Sequence, residues 1–358
     1  MRAAILRHGD LVVDTVPDPA PGPGQVLVKT LACGICGSDL HAHKHGPRMV
    51  DVSRRIGERP PMDLSRDIVF GHEFCAELLD HGPGTGRKLK AGTRVCSMPI
   101  VMLADGPRTV GYSNEFPGGF AERMVLNEAL LLEVPNGLSA EHAALTEPLA
   151  VGIHAVEKAA ASGDEVPLVI GCGPVGLAVI AALKLKNLRP IIAADFSPAR
   201  RKLAERLGAD IVVDPAAMSP YRAWMEKAAI DGIVPAAGVW SATSPYKPAL
   251  IFECVGVPGV LQQVFEGVPR GARIVVVGVC MEIDKIEPMF GISKELNIQF
   301  VLGYTPEEFA RALRLIAEGQ VKAQALITGK VGVDGVKDAF EQLGNPERHT
   351  KILVEPWR

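Results

Sequence analysis

Leu168-Val169-Ile170 runs straight into Gly171-Cys172-Gly173-Pro174-Val175-Gly176, and an acidic residue, Asp195, follows about 20 positions on. No other part of the chain constrains the fold as much. The short apolar run reads as a buried strand. Gly171 permits a tight turn after it, Gly173 lets the backbone approach a ligand closely, and Gly176 lets a helix pack against the strand. A helix opening there offers free N–H groups and a positive dipole end, which suit phosphates. Asp195 ends the next strand, can accept from both hydroxyls of a ribose, and repels a 2′-phosphate. The pattern predicts a dinucleotide-binding βαβ unit that takes NAD in preference to NADP. Candidate cofactor-binding residues are Gly171, Gly173, Pro174, Val175, Gly176 and Asp195; Arg200 and Arg201, in the first turn of the next helix, keep NADP as an alternative but read first as adenosine neighbours or surface charges.

The alternation continues downstream. Pro190 to Asp195, Ile211 to Asp214, Leu250 to Cys254 and Arg273 to Val277 read as strands; Val175 to Leu185 and Pro198 to Leu207 read as helices. Nearly continuous apolar strands of this kind imply a parallel sheet covered on both faces. The first 145 or so residues differ, with short strands and many turns. Val26 to Thr30 is one strand, Gly92 to Cys96 enters another, and Gly118 to Val125 leads into a third. That half is expected to be an all-β, barrel-like domain. After residue 290 a helix (Pro306 to Gly319) and short strands end in Lys351 to Val354, a tail expected to return to the first domain. The expected division is 1–150, 151–290 and 291–358. Lys44 to Asp67 and Met218 to Pro248 show no clear periodicity and look inserted.

Composition narrows the function. A chain of 358 residues suffices for two domains, and 47% hydrophobic against 22% charged content fits a packed globular protein. The net charge of -3, without a lysine- or arginine-rich run, argues against nucleic acid or an anionic membrane surface as partner. No stretch approaches the roughly 18 apolar residues of a membrane span. Met1 to Leu6 is too soon interrupted for a signal peptide, so a cytoplasmic protein is expected. Seven cysteines, an odd number, fit reduced thiols and no disulfide framework; Cys75, Cys172, Cys254 and Cys280 read as small packing residues.

The second informative feature is Ala32-Cys33-Gly34-Ile35-Cys36-Gly37-Ser38-Asp39-Leu40-His41, followed later by Gly71-His72-Glu73. It supplies a thiolate, an imidazole and a carboxylate on separate segments, the donor types that zinc prefers. A structural zinc built on the C-x-x-C pair would need a second ligand pair at similar spacing, and none follows. A thioredoxin-like redox pair would sit in a βαβ unit, which this region lacks. The remaining reading uses Cys36 as a ligand and Cys33 as its neighbour. A catalytic zinc takes three protein ligands and keeps one open position. Cys36 and His72 supply two, and Glu73 and Glu147 are the candidates for the third.

Taken in order, the Ala32–His41 segment, Gly71-His72-Glu73, Glu147-Pro148-Leu149 and the glycine turn resemble the zinc-dependent medium-chain alcohol dehydrogenase family. The Glu-Pro-Leu segment leans toward its polyol, threonine and butanediol branches. The resemblance spans nearly the whole chain. It implies a GroES-like, β-barrel-type catalytic domain, a doubly wound Rossmann domain of α/β class, a zinc in the cleft between them and a homodimer or homotetramer. It matches Cys36 and His72 to zinc ligands. Glu147 falls where a third ligand, or the carboxylate holding the zinc water, is found, and Glu73 at a position that ligates in some members. Many members also carry four closely spaced cysteines that bind a structural zinc. The corresponding stretch, Ser97 to Gly119, has no cysteine, so one zinc per chain is expected.

The resemblance also assigns a proton path. Ser38 and His41 match residues that pass a proton from the alcohol, by way of the cofactor ribose, to solvent, a task that suits imidazole near neutrality. Asp39 is a candidate for orienting a ligand. His43 and His45 read as part of a solvated loop. Lys351 matches a basic position that reaches the pyrophosphate. The expected activity is reversible oxidation of a secondary alcohol or polyol to a carbonyl compound with zinc and NAD. Two rivals remain at this point: a zinc-free reductase of activated alkenes or quinones on the same fold, and a non-catalytic NAD-binding protein.

Overall fold

A computed structural model describes the chain except for Asn136 and residues 232–243. The chain forms two compact units, Met1–Pro148 with Pro306–Arg358, and Leu149–Thr305.

In chain order the first unit holds β1 (Arg2–Arg7), β2 (Asp10–Thr15), β3 (Gln25–Gly34), α1 (Gly37–Arg55), β4 (Glu73–His81), β5 (Arg94–Ser97), β6 (Ile100–Leu103), β7 (Gly106–Thr109), β8 (Arg123–Asn127), β9 (Leu131–Glu133) and α2 (Ala140–Ala143). A helix, α3 (Thr146–Lys158), leads into the second unit. There follow β10 (Val166–Ile170), α4 (Pro174–Leu185), β11 (Ile192–Ala194), α5 (Pro198–Leu207), β12 (Ile211–Val213), α6 (Pro220–Ala228), β13 (Ala249–Glu253), α7 (Val260–Gly267), β14 (Arg273–Val276), α8 (Pro288–Lys294) and β15 (Asn297–Phe300). The chain then returns to the first unit as α9 (Pro306–Ala317), β16 (Ile327–Val331), α10 (Val336–Leu343) and β17 (Lys351–Val354).

The second unit is a six-stranded parallel sheet in the order β12-β11-β10-β13-β14-β15. This is the doubly wound arrangement, with the strand order reversing beside β10. Its strands are apolar because both faces are covered: every residue of β11 and β13 is buried. α5 begins where Ser197 Oγ accepts from Arg200 N at 3.1 Å and Pro198 fills the first helical position. Sequence placed the end of this unit at residue 290, but the chain stays in it to Thr305, because β15 adds a sixth strand alongside β14.

The first unit is built on a seven-stranded sheet, β16-β17-β3-β4-β5-β9, with β8 also on β3. The expected return of the tail is seen directly: β17 pairs antiparallel with the end of β3, Leu353 opposite Gly34. Its core packs Val26, Val28, Phe74, Leu78, Met124 and Ile352.

Two sequence expectations need correction. Lys44 to Asp67 is not wholly irregular, and His43 and His45 do not lie in a loop. They belong to α1, which continues to Arg55 across a kink at His45, two residues before Pro47. Proline lacks the N–H that would continue the ladder and its ring crowds the preceding turn, so the helix bends there. Ala42, Gly46 and Val50 are buried at helical spacing, and Gly46 lies so close to Leu64 that a Cβ would stand 3.0 Å from its methyl group. In the second stretch, α6 buries Trp224, whose Nε1 donates to the Val166 carbonyl at 2.8 Å. Trp240 lies outside the described residues.

The returning tail is also held by charge. Lys330 Nζ on β16 lies 2.6 Å from Glu141 Oε1 on α2 and 3.0 Å from Glu355 Oε1. The Lys330 hydrogen bond holds the Glu141 carboxyl down at about 2. A lowered folded-state value gives stability that is complete above the ordinary carboxylate pKa and is lost as pH falls toward 2. Glu141→Gln is expected to cost at most about 1 kcal/mol at pH 7, as half-exposed pairs do. The difference between wild type and variant in urea midpoints should shrink steadily below pH 4.5 or so; a difference that grows with acid contradicts this assignment.

Candidate metal and dinucleotide sites

Cys36, His72 and Glu73 bring a sulfur, an imidazole nitrogen and a carboxylate oxygen within 4.8 Å of one another. They come from two separate stretches of chain. Cys36 caps the start of α1, Glu73 opens β4, and His72 precedes it in the turn after Gly71, whose φ of 103° favours glycine. Gly34 stands opposite Glu73 on β3, and a Cβ there would lie 2.0 Å from Glu73 Oε2, so glycine makes the room for that carboxylate. The sulfur, nitrogen and oxygen set, compact and largely buried, fits a zinc ion with three protein ligands. Cys33 does not join it. Its buried thiol lies back in β3, packed against Gly71 and Gly119, as expected of a neighbour.

Asp39 organises this cluster from within. It is fully buried. Its Oδ2 accepts from the Cys36 backbone N at 3.0 Å, and its Oδ1 lies 3.2 Å from His72 Nδ1, an ion-pair contact. With Nδ1 turned to Asp39, Nε2 is the nitrogen that faces the sulfur side, 3.4 Å from Ser38 Oγ. Burial, with Glu73 beside it, pushes the Cys36 thiol up. Burial opposes a charge on His72, but Asp39 and then the Cys36 sulfur raise it well above the ordinary imidazole value.

The second carboxylate candidate lies outside the donor cluster, and the tail lysine is placed differently from expectation. Glu147, in the first turn of α3 and 8% exposed, is not part of the three-residue donor cluster. Lys351 is buried on β17, and its Nζ lies 2.6 Å from both oxygens of Glu73 and 3.1 Å from the Ile35 carbonyl. The expectation that Lys351 reaches a pyrophosphate is thus corrected: a buried ammonium needs an anion and acceptors, and Glu73, with Glu147 adding charge nearby, provides them.

One residue that sequence reasoning missed completes the surroundings. Tyr112 lies in the cysteine-free stretch and donates its hydroxyl toward Ser38 Oγ at 2.9 Å and Asp39 Oδ1 at 3.2 Å. Its ring centroid is 5.3 Å from that of His72. Burial, then the charge of Asp39, holds the phenol well above its ordinary pKa, so it stays protonated. The stretch that carries it is braced without cysteines. Arg108, 8% exposed, meets Glu115 at 3.1 Å and Asp105, and Arg59 reaches Asp105 at 3.0 Å. His41 is half-buried one helical turn beyond Ser38, with its ring centroid 6.2 Å from His45.

In the second unit the glycine turn has the geometry its sequence predicts. Gly171 has φ 89°, and a Cβ on Gly176 would stand 1.9 Å from the Gly171 carbonyl oxygen. At Gly173 a Cβ would meet only Arg200 Nη1, at 3.9 Å, so the space before α4 is open. Gly173 caps α4 and Pro174 and Val175 form its first turn. Asp195 is fixed by two backbone donors, Cys172 N at 2.7 Å and Ser197 N at 2.8 Å, which leave lone pairs for further donors. The two arginines separate. Arg201 is held by the carbonyls of Asp195 and Phe196 and by Asp214, whereas the buried Nε of Arg200 has no partner.

These sites can be compared with known proteins. Residues 22–136 match the alcohol dehydrogenase GroES-like domain and residues 174–318 the zinc-binding dehydrogenase family. The (R,R)-butanediol dehydrogenase of Bacillus subtilis (strain 168) is 32% identical over 356 residues, 97% of each chain. The chain belongs to the zinc-dependent medium-chain alcohol dehydrogenase family. It is accordingly a zinc-dependent oxidoreductase. The sorbitol dehydrogenase of Bos taurus is 28% identical over 345 residues, covering 93% of this chain and 90% of that one. The crystal structure of 2R,3R-butanediol dehydrogenase from Bacillus subtilis superposes with a TM-score of 0.79 at 31% identity over 99% of both chains. A zinc-binding dehydrogenase from Sinorhizobium meliloti 1021 bound to NADP gives 0.79 at 26% identity, also over 99% of both.

Asp195→Ser removes the negative charge that opposes a 2′-phosphate, while Arg200 keeps an unpartnered donor beside the turn. The ratio of kcat/KM with NADP to that with NAD should rise by about tenfold or more, equivalent to about 1.4 kcal/mol. A wild-type enzyme that already prefers NADP would overturn this reading of Asp195.

Proposed function

We propose that this enzyme oxidises secondary alcohols carrying a neighbouring hydroxyl, vicinal diols first among them, to the corresponding ketones. The observation that carries the reading is the joint placement of Cys36, His72 and Glu73 around one point with Ser38 Oγ at its edge. The similarity to butanediol and sorbitol dehydrogenases supports the diol preference. Cys36, His72 and Glu73 would hold the zinc, which when bound would supply Lewis acidity at the substrate oxygen, and NAD when bound would be the hydride acceptor. Ser38 Oγ would accept the alcohol proton as its own proton passes, by way of the cofactor ribose, to His41 and solvent. Asp39 fixes the Cys36 turn and the orientation of His72. The backbone N–H groups of Gly173, Val175 and Gly176, with Pro174 starting the helix, would receive the pyrophosphate, and Asp195 the ribose hydroxyls. NADH formation from a panel of secondary alcohols, vicinal diols and longer polyols tests this. Turnover restricted to alkenes or quinones, independent of metal, would contradict it.

The relay makes its own prediction. Burial, with His45 and Lys44 nearby, lowers the His41 pKa. A base must be neutral to accept a proton, so the acid limb of the oxidation rate is expected below 6.5, the ordinary imidazole value. His41→Ala should lower kcat by about a hundredfold at pH 7 and by less at high pH, where hydroxide takes over; Ser38→Ala should be more damaging. Unchanged rates for His41→Ala across the pH range would return His41 to a structural role.

We further propose that two copies of the chain associate through β15. Among the described residues that strand pairs with β14 alone, and all four of its residues are exposed. Ile298 and Phe300 on it, Leu302 just after it and Ile292 and Met289 on α8 before it are exposed apolar side chains, Leu302 at 88%. An unpaired apolar edge is a template for another strand. Phe300→Asp should convert a dimer to monomer in light scattering; a wild-type monomer would contradict the proposal.

A further inference from the structure

The serine assigned to the relay has an unassigned partner. Ser38 lies in the first turn of α1, where a serine hydroxyl is free to turn back onto its own backbone. It does not do so. Its oxygen is 2.9 Å from Tyr112 Oη and 3.4 Å from His72 Nε2. Tyr112 is itself fixed on three sides. Its hydroxyl also faces Asp39 Oδ1 at 3.2 Å, its ring lies against His72, and Phe70 meets it edge-on at 5.9 Å.

We propose that Tyr112 is a positioning residue for the oxidation, tethering the Ser38 hydroxyl in the one rotamer that faces the substrate oxygen. This inference rests on the relay reading of Ser38 above. The tether holds whichever way the protons point. If the phenol donates to Ser38, it occupies one of the two lone pairs on Oγ and leaves the other to accept from the alcohol. If it donates to Asp39, its own oxygen accepts from Ser38 and still fixes it. Asp39 also contacts His72 Nδ1 and the Cys36 N–H, so the tether ties Ser38 to the same carboxylate that sets two metal-side residues. Misplacement of a reacting group by about 1 Å can cost about a hundredfold in rate, so a positioner with no contact to substrate can carry an effect of that order.

The test is Tyr112→Phe, which keeps the ring and removes only the hydroxyl, made alone and together with Ser38→Ala in the zinc-loaded protein. The expected result is a fall of about tenfold to a hundredfold in kcat, with KM for the diol, zinc content and thermal midpoint little changed. In the Ser38→Ala background the same substitution should cost less than twofold, because groups acting through one another are not additive. A Tyr112→Phe enzyme within twofold of wild type, beside a crippled Ser38→Ala, overturns the inference and leaves the relay standing. An equal loss in both backgrounds also overturns it, as the mark of a structural role independent of Ser38. A fully active Ser38→Ala enzyme overturns the relay itself, and with it this role for Tyr112.

Discussion

A single buried carboxylate, that of Asp39, holds the catalytic corner together. No part of it reaches water, and three groups converge on it: the Cys36 backbone N–H, the imidazole of His72 and the hydroxyl of Tyr112. Each comes from a different stretch of chain. A buried anion is costly unless hydrogen-bonded or paired, so those groups are drawn in and fixed as a consequence of folding. The spacing Cys36-x-x-Asp39 places the carboxylate at the third helical position, where it reaches back to the residue that caps α1. The helix start, the thiol and the imidazole are thus set by one local arrangement.

The second buried pair, Glu73 with Lys351, balances the charge of that arrangement. Asp39 and Glu73 bring two carboxylates into a buried space, and the fully buried ammonium of Lys351 pairs with Glu73. Breaking such a pair by removing one partner commonly costs about 3–5 kcal/mol, because the other charge is left bare. Since Lys351 sits on β17, the last strand of the chain, the end of the sequence is tied to its first metal-side segment. The tail is therefore part of the site's support.

The legible parts of this structure were those written in contiguous residues. The glycine turn, its strand and helix, and Asp195 lie within one βαβ unit, and sequence placed each to within a residue or two. Cys36, Ser38 and Asp39 lie on one turn of helix, and His72 and Glu73 are adjacent. What sequence did not show depends on pairings across long distances. Tyr112 is 74 residues from Ser38 and belongs to no motif. Lys351 is 278 residues from Glu73, and a buried strand lysine looks the same in sequence as a solvated one. The second half of α1 was obscured by Pro47 and by charged residues on its outer face, although Ala42, Gly46 and Val50 mark its buried side. β15 does not read as a strand of the parallel sheet because an exposed edge strand lacks the continuous apolar run of its neighbours.

The central claim is that one metal centre, made by Cys36, His72 and Glu73, serves the chemistry of this chain. Elemental analysis of the purified protein, wild type beside His72→Ala, tests it most directly. The account predicts about one zinc per chain in the wild type and close to none in the variant, since three protein ligands define the site. Two zincs per chain in the wild type, or zinc fully retained by His72→Ala, would contradict it.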